Sequence, residues 1–105
     1  MSKYGAIKTV VDGITFASKK EAAYYSELKL AERAGEISNL QLQPKFPIIM
    51  NGKKVGNYIA DFSYLDGGRI IVVDVKSQAT RKIAVYRLKV KLVEAQYGIK
   101  ITEVL

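Results

Sequence analysis

The sequence predicts one α/β domain, a mixed β-sheet flanked by helices with a small N-terminal β-hairpin in front. Three observations predict it. Two segments, near residues 19–34 and 82–97, carry apolar residues at helical spacing. Between and around them run apolar, β-branched stretches punctuated by Asp12-Gly13, Asn51-Gly52 and Asp66-Gly67-Gly68, which are hairpin signals. The length of 105 residues suits one modest core and not two.

Each element has its own warrant. Met1 to Gly5 reads as a loose basic tail. Ile7–Val11 and Ile14–Phe16 flank Asp12-Gly13 as a leading hairpin. Ser18-Lys19-Lys20-Glu21 fits a capping box, with Ser18 as N-cap. Ala22, Tyr25, Leu28 and Ala31 then mark one helical face, and Gly35 supplies a left-handed stop, giving a helix over about 19–34. Ile37 to Met50 is extended but interrupted by Pro44 and Pro47, as an edge or bulged strand would be. Val55 to Tyr64 reads as the next strand. Arg69 to Lys76 follows, its Ile70-Ile71-Val72-Val73 run suited to burial on both faces. A second helix starts near 82 or 84 and ends at Tyr97 before Gly98, with Val85, Leu88, Leu92 and Ala95 as its expected buried stripe. Ile99, Ile101 and Val104 suggest a last strand.

Composition removes several chemistries. There is no cysteine and no histidine, so disulfides, thiolate metal sites and Ser-His or Cys-His triads are excluded. A catalytic metal would have to be a hard, oxygen-liganded ion such as Mg²⁺ or Mn²⁺. No apolar run approaches the roughly 20 residues of a membrane span, and no secretory signal is legible, so the expected compartment is the cytoplasm. Seventeen Lys and Arg against ten Asp and Glu leave a net charge of +7, which favours a polyanionic partner such as nucleic acid.

The acids fall where a core is expected. Asp61 lies within Tyr58-Ile59-Ala60-Asp61-Phe62, and Asp74 within Val72-Val73-Asp74-Val75-Lys76. Alternation puts Asp74 and Lys76 on one strand face, with Gln78 on the same face if the strand extends so far. A short Gly-rich turn joins the two strands, so antiparallel pairing can bring Asp61 and Asp74 together. Two half-buried carboxylates repel, and each is costly to desolvate; a divalent cation relieves both penalties. A neighbouring lysine can orient a water and steady developing phosphate charge. The competing reading is a surface ion pair between Asp74 and Lys76 with Asp61 simply solvated. Glu21 has two roles open to it as well, the capping box or a carboxylate turned across at the sheet.

These residues resemble the PD-(D/E)xK nuclease superfamily. The likeness rests on a glutamate in the first helix, an aspartate ending the second core strand and an acid-x-lysine in the third. More closely, the chain is similar to small phage and prophage proteins regarded as endonucleases. Phe16-Ala17-Ser18-Lys19-Lys20-Glu21, Leu42-Gln43-Pro44-Lys45-Phe46, Tyr58 to Phe62, Asp74-Val75-Lys76 and Tyr86-Arg87-Leu88-Lys89 carry that likeness over nearly the whole chain. The resemblance implies a restriction-endonuclease-like αβββαβ core. It implies Asp61 and Asp74 as metal ligands, Lys76 as the catalytic lysine, Glu21 as an outer or direct ligand and the Val75 carbonyl as a backbone ligand. A similar arrangement occurs in archaeal Holliday-junction resolvases and the end-cleaving transposase subunit. Two departures stand out: Asp74 where many relatives have glutamate, and Ala60 where the motif name has proline.

The expected function is therefore Mg²⁺- or Mn²⁺-dependent hydrolysis of DNA phosphodiester bonds, in phage recombination, replication or packaging, with no other small-molecule cofactor. In-line attack by water would leave 5′-phosphate and 3′-hydroxyl ends. Arg81, Lys82, Arg87, Lys89 and Lys91 crowd the region after the Asp74 strand and the helix that follows, where Lys82, Tyr86 and Lys89 share a helical face. These, with Gln78 and a second patch of Lys3, Lys8, Lys19 and Lys20, are the expected nucleic-acid contacts. A homodimer would place two sites on two strands. The alternatives are a non-catalytic basic nucleic-acid-binding module and an interaction protein for an acidic partner.

Overall fold

A computed structural model of the chain describes residues 7–104. The expected tail at Met1–Gly5, Lys3 included, lies outside the described residues. β1 (Thr9–Val11) and β2 (Ile14–Phe16) pair antiparallel around Asp12 and Gly13, whose φ angles of 52° and 75° make the mirror-image turn that suits strand twist. The Tyr25 hydroxyl donates to Asp12 Oδ2 at 3.0 Å and ties this hairpin to the first helix.

Helix α1 (Lys19–Arg33) starts as the sequence predicts: Ser18 Oγ accepts the Glu21 N–H at 3.1 Å. It ends in a Schellman motif. Gly35 has φ 78°, its N–H reaches Glu32 O, and the Glu36 N–H reaches Ala31 O at 2.9 Å. Ala22, Tyr25 and Leu28 are its buried stripe.

The extended stretch beyond α1 is a long bent hairpin. β3 (Ser38–Leu42) and β4 (Lys45–Met50) run up one side; β5 (Lys53–Ile59) and β6 (Phe62–Asp66) return. The strand expected over Val55–Tyr64 is thus two strands broken at Ala60-Asp61. The reason lies opposite: Gln43 takes a left-handed φ of 50° and Pro44 has no N–H to give. The pairing continues through the bend by Gln43 N–H to Asp61 O (2.9 Å) and Ala60 N–H to Pro44 O (3.1 Å). The outer arm, β4 with β5, leaves the main sheet.

β7 (Arg69–Val75) pairs antiparallel with β6, then comes a four-residue helix α2 (Gln78–Arg81), α3 (Ala84–Tyr97) and β8 (Ile101–Val104), parallel to β7. The main sheet has the order β3-β6-β7-β8. It is mixed, and alternation along β7 feeds two cores. Val73, Phe62 and Phe16 pack on α1, whereas Val72, Ala60, Tyr58, Ile48 and Ile101 pack around Val93 of α3. Among the described residues no helix is long and apolar enough to cross a membrane.

Two expectations about burial need correction. The stripe expected to be buried on the second helix is largely exposed: Val85 is 64% and Leu88 58% accessible. The helix packs mainly through Tyr86, Val90 and Val93, a second apolar set at spacings of four and three, with Leu92 of the expected stripe beside them. The crossover from β7 to β8 turns this second set, rather than the expected one, toward the sheet. Burial on both faces holds for Val72 and Val73 but not for Ile70, which is 60% exposed near the start of β7.

Candidate active site

Asp74 comes from the end of β7 on the face that carries Val72, and it is completely inaccessible to solvent. A carboxylate there needs partners, since burial without them is costly. Its Oδ1 accepts the Asp61 N–H at 3.0 Å, and its Oδ2 accepts the Tyr58 hydroxyl. Asp61 stands at the hairpin bend, and its own Oδ2 accepts the Val75 N–H at 2.7 Å. The two aspartates are therefore braced reciprocally, each carboxylate bonded to a main-chain N–H of the other's segment. The bend is what makes this possible, because it frees the Asp61 N–H to reach both Val73 O (3.2 Å) and Asp74 Oδ1.

Lys76 follows two residues later. Its ammonium lies 3.8 Å from Asp74 Oδ1 and 5.6 Å from the centre of the Tyr86 ring. The exposed surface ion pair considered from sequence is not what the fold builds, since Asp74 is interior. Glu21, in the first turn of α1, is half-buried. Among the described residues its carboxylate does not return a bond to the Ser18 N–H, so only half of the capping box is made.

The acids sense one another. Burial pushes the Asp74 carboxyl up to about 6, against the pull of Lys76 and the Asp61 N–H. Burial likewise raises Asp61, opposed by the Val75 N–H and Lys76. Glu21 is raised by burial and then by the negative charge of Asp61, with Lys76 opposing and Asp74 adding. One ammonium does not neutralise three carboxylates.

This chemistry fits a hard divalent cation. The donors are all oxygen, an ionised carboxylate offers about four lone-pair sites, and the hydrogen bonds on Asp61 and Asp74 leave some of these free. Asp61, Asp74 and Glu21, with the Val75 carbonyl, are the residues that would hold it. As the side chains stand among the described residues, no three carboxylates converge closely enough to grip a metal ion.

Over residues 1–104 the sequence matches the family profile DUF1064, described as a protein of unknown function. The chain belongs to the DUF1064 family. No curated protein and no solved structure matches it significantly.

Two further members of the site in this DUF1064 chain escaped the sequence reading. Tyr58 caps Asp74, although it stands inside the quoted Tyr58-to-Phe62 stretch; its position three residues before Asp61 was the available signal. Glu103 lies directly opposite Asp74 in the β7–β8 ladder, and its charge helps raise the Asp74 carboxyl. Its Oε2 accepts the Tyr86 hydroxyl at 2.9 Å, and its Oε1 lies 3.6 Å from Arg81 Nε. Burial first, and then this bond to Glu103, hold the Tyr86 phenol well above its ordinary value. Nothing in the sequence states the register of a parallel strand, so Glu103 was not legible.

The expected nucleic-acid contacts separate. Arg81, Lys82 and Tyr86 line one groove of about 600 Å³ beside α3, together with Arg87 and Lys91. Lys89, expected on the same face, does not line it. Lys19 and Lys20 are exposed at the start of α1, across the sheet from that groove. Gln78 opens α2, and its side chain lies outside the described residues.

Proposed function

We propose that this chain is a metal-dependent endonuclease that hydrolyses DNA phosphodiester bonds. The observation that carries the proposal is the reciprocal Asp61–Asp74 brace, with the Lys76 ammonium 3.8 Å from a carboxylate wholly withdrawn from water. The connectivity supports it. Helix α1, the antiparallel β3, β6 and β7, then α3 and a parallel β8 follow the αβββαβ order of the restriction-endonuclease-like core.

In this reading Asp61 and Asp74 bind Mg²⁺ or Mn²⁺, with Glu21 and the Val75 carbonyl completing the protein's share. A cation held there would supply Lewis-acid charge to the scissile phosphate and would lower the pKa of water. Tyr58 and the Asp61 N–H fix the Asp74 rotamer, so the carboxylate is preorganised rather than mobile. Lys76, resting over the Tyr86 ring, orients the attacking water and steadies the charge growing on the phosphate oxygens. A homodimer would place two such sites on two strands.

A second reading has one observation in its favour. Both Asp74 oxygens already accept hydrogen bonds, and among the described residues no three carboxylates converge, as a purely structural brace in a basic binding module would have it. Labelled duplex, single strand, flap and four-way junction DNA incubated with Mg²⁺ or Mn²⁺ separates the two. The nuclease reading expects cutting by the wild type and a loss on the order of 10³-fold or more in folded Asp74→Ala and Lys76→Ala proteins. Binding without cutting, equal in all three proteins, would establish the binding module instead.

A further inference from the structure

We infer that the groove between α3 and β8 binds a single nucleic-acid strand, with phosphates on its rim and base or sugar on its floor. The rim is cationic and exposed: Arg87 and Lys91 from α3, Lys82 from the turn before it, and Lys100 from the approach to β8. The floor is apolar, made by half-buried Tyr86 and Val90 and buried Ile101. Two acids also border the groove, but the fold uses both. Glu94 Oε2 accepts the Ile101 N–H at 2.8 Å, and Glu103 is held by Tyr86 and Arg81. Five basic side chains line the groove against these two acids, so its net charge is positive.

Shape and chemistry together select the strand. The groove holds about 600 Å³, within the roughly 300–1,000 Å³ that takes a drug-sized ligand, and so about one or two nucleotides. A duplex keeps its base faces stacked inside, whereas an apolar floor beneath a basic rim matches a strand whose bases are unpaired and free to stack. Tyr86, in the groove's floor, has the Lys76 ammonium 5.6 Å from its ring centre, and Glu103, at the groove's border, stands opposite Asp74 in the ladder. A strand in the groove is thereby brought beside Lys76, the proposed catalytic lysine. That last step rests on the nuclease reading; occupancy of the groove does not.

Fluorescence anisotropy in EDTA, where a metal-dependent enzyme cuts nothing, tests this with labelled oligothymidylate, oligouridylate and a duplex of equal length. Single strand is expected to bind at least about tenfold more tightly than duplex. Arg87→Ala/Lys91→Ala is expected to weaken single-strand binding about tenfold and to lower the slope of log K against log salt by about 1.4. Lys53→Ala/Lys54→Ala, equal in charge removed but placed at the β4–β5 turn, is expected to stay within about twofold of wild type. A preference for either oligonucleotide over duplex supports the groove. Duplex bound as tightly as single strand, or equal losses in the two double variants, overturns the inference in favour of diffuse charge attraction. Cleavage assayed on the same preparations keeps the two proposals apart. Groove-dependent binding without cutting removes the nuclease alone, and cutting without groove dependence removes the groove alone.

Discussion

Asp74 concentrates the cost of the site in one residue. Its carboxyl titrates near 3.8 when unfolded and near 6 when folded, with burial as the main cause. The folded state therefore prefers the protonated form. The stabilisation this gives is complete below pH 3.8 and is lost as pH rises through about 6. Ionisation of the buried group then costs the fold about 3 kcal/mol. Asparagine cannot ionise, and the Tyr58 hydroxyl can rotate to accept from its amide. In urea melts, Asp74→Asn should gain on the wild type as pH rises from about 4 to 7, by up to about 3 kcal/mol. A constant difference across that window would mean that Asp74 does not titrate there.

At the scale of elements, α3 carries two apolar stripes and buries only one. Val93 is wholly buried among Val72, Ile101 and Tyr58, while Leu88 faces solvent. Val93→Ala should cost about 2 kcal/mol in chemical denaturation, the lost transfer energy plus a cavity. Leu88→Gln should stay within about 0.5 kcal/mol, as surface changes do. The reverse ranking would place the helix a fraction of a turn away from the packing described. The arm of β4 and β5 belongs to this scale too. Gln96 and Tyr97 at the end of α3 hold it, through bonds to Ile49 N–H and Pro47 O.

For the whole molecule, a net charge of +7 coexists with a knot of acids at the ends of β6, β7 and α1. Divalent cations should therefore act locally, not as bulk salt. At a metal concentration ten times the dissociation constant, Mg²⁺ or Mn²⁺ should stabilise the fold by about 1.4 kcal/mol, several degrees of Tm for a domain this size. The shift should be larger at pH 8 than at pH 5, where the raised carboxyls begin to protonate. It should vanish in Asp61→Asn/Asp74→Asn and be absent with KCl at matched ionic strength. Equal shifts in the double variant would move the cation site elsewhere.

Local chemistry made much of this molecule legible in its sequence. Ser18, Gly35, Gly98 and the Asp12-Gly13 and Asn51-Gly52 turns act within a few residues, so helix ends and hairpins could be read from them. Asp61, Asp74 and Lys76 stood out because charged residues inside apolar strands conflict with burial, and that conflict is itself local. What joins distant segments was not legible. The bend at Gln43-Pro44 decided that the Asp61 N–H also reaches Asp74. The parallel register of β8 brought Glu103 opposite Asp74 and beneath Tyr86. The β7-to-β8 crossover chose which stripe of α3 to bury. Each depends on which surfaces meet, and burial is settled by the summed packing of the whole chain rather than by any window of it.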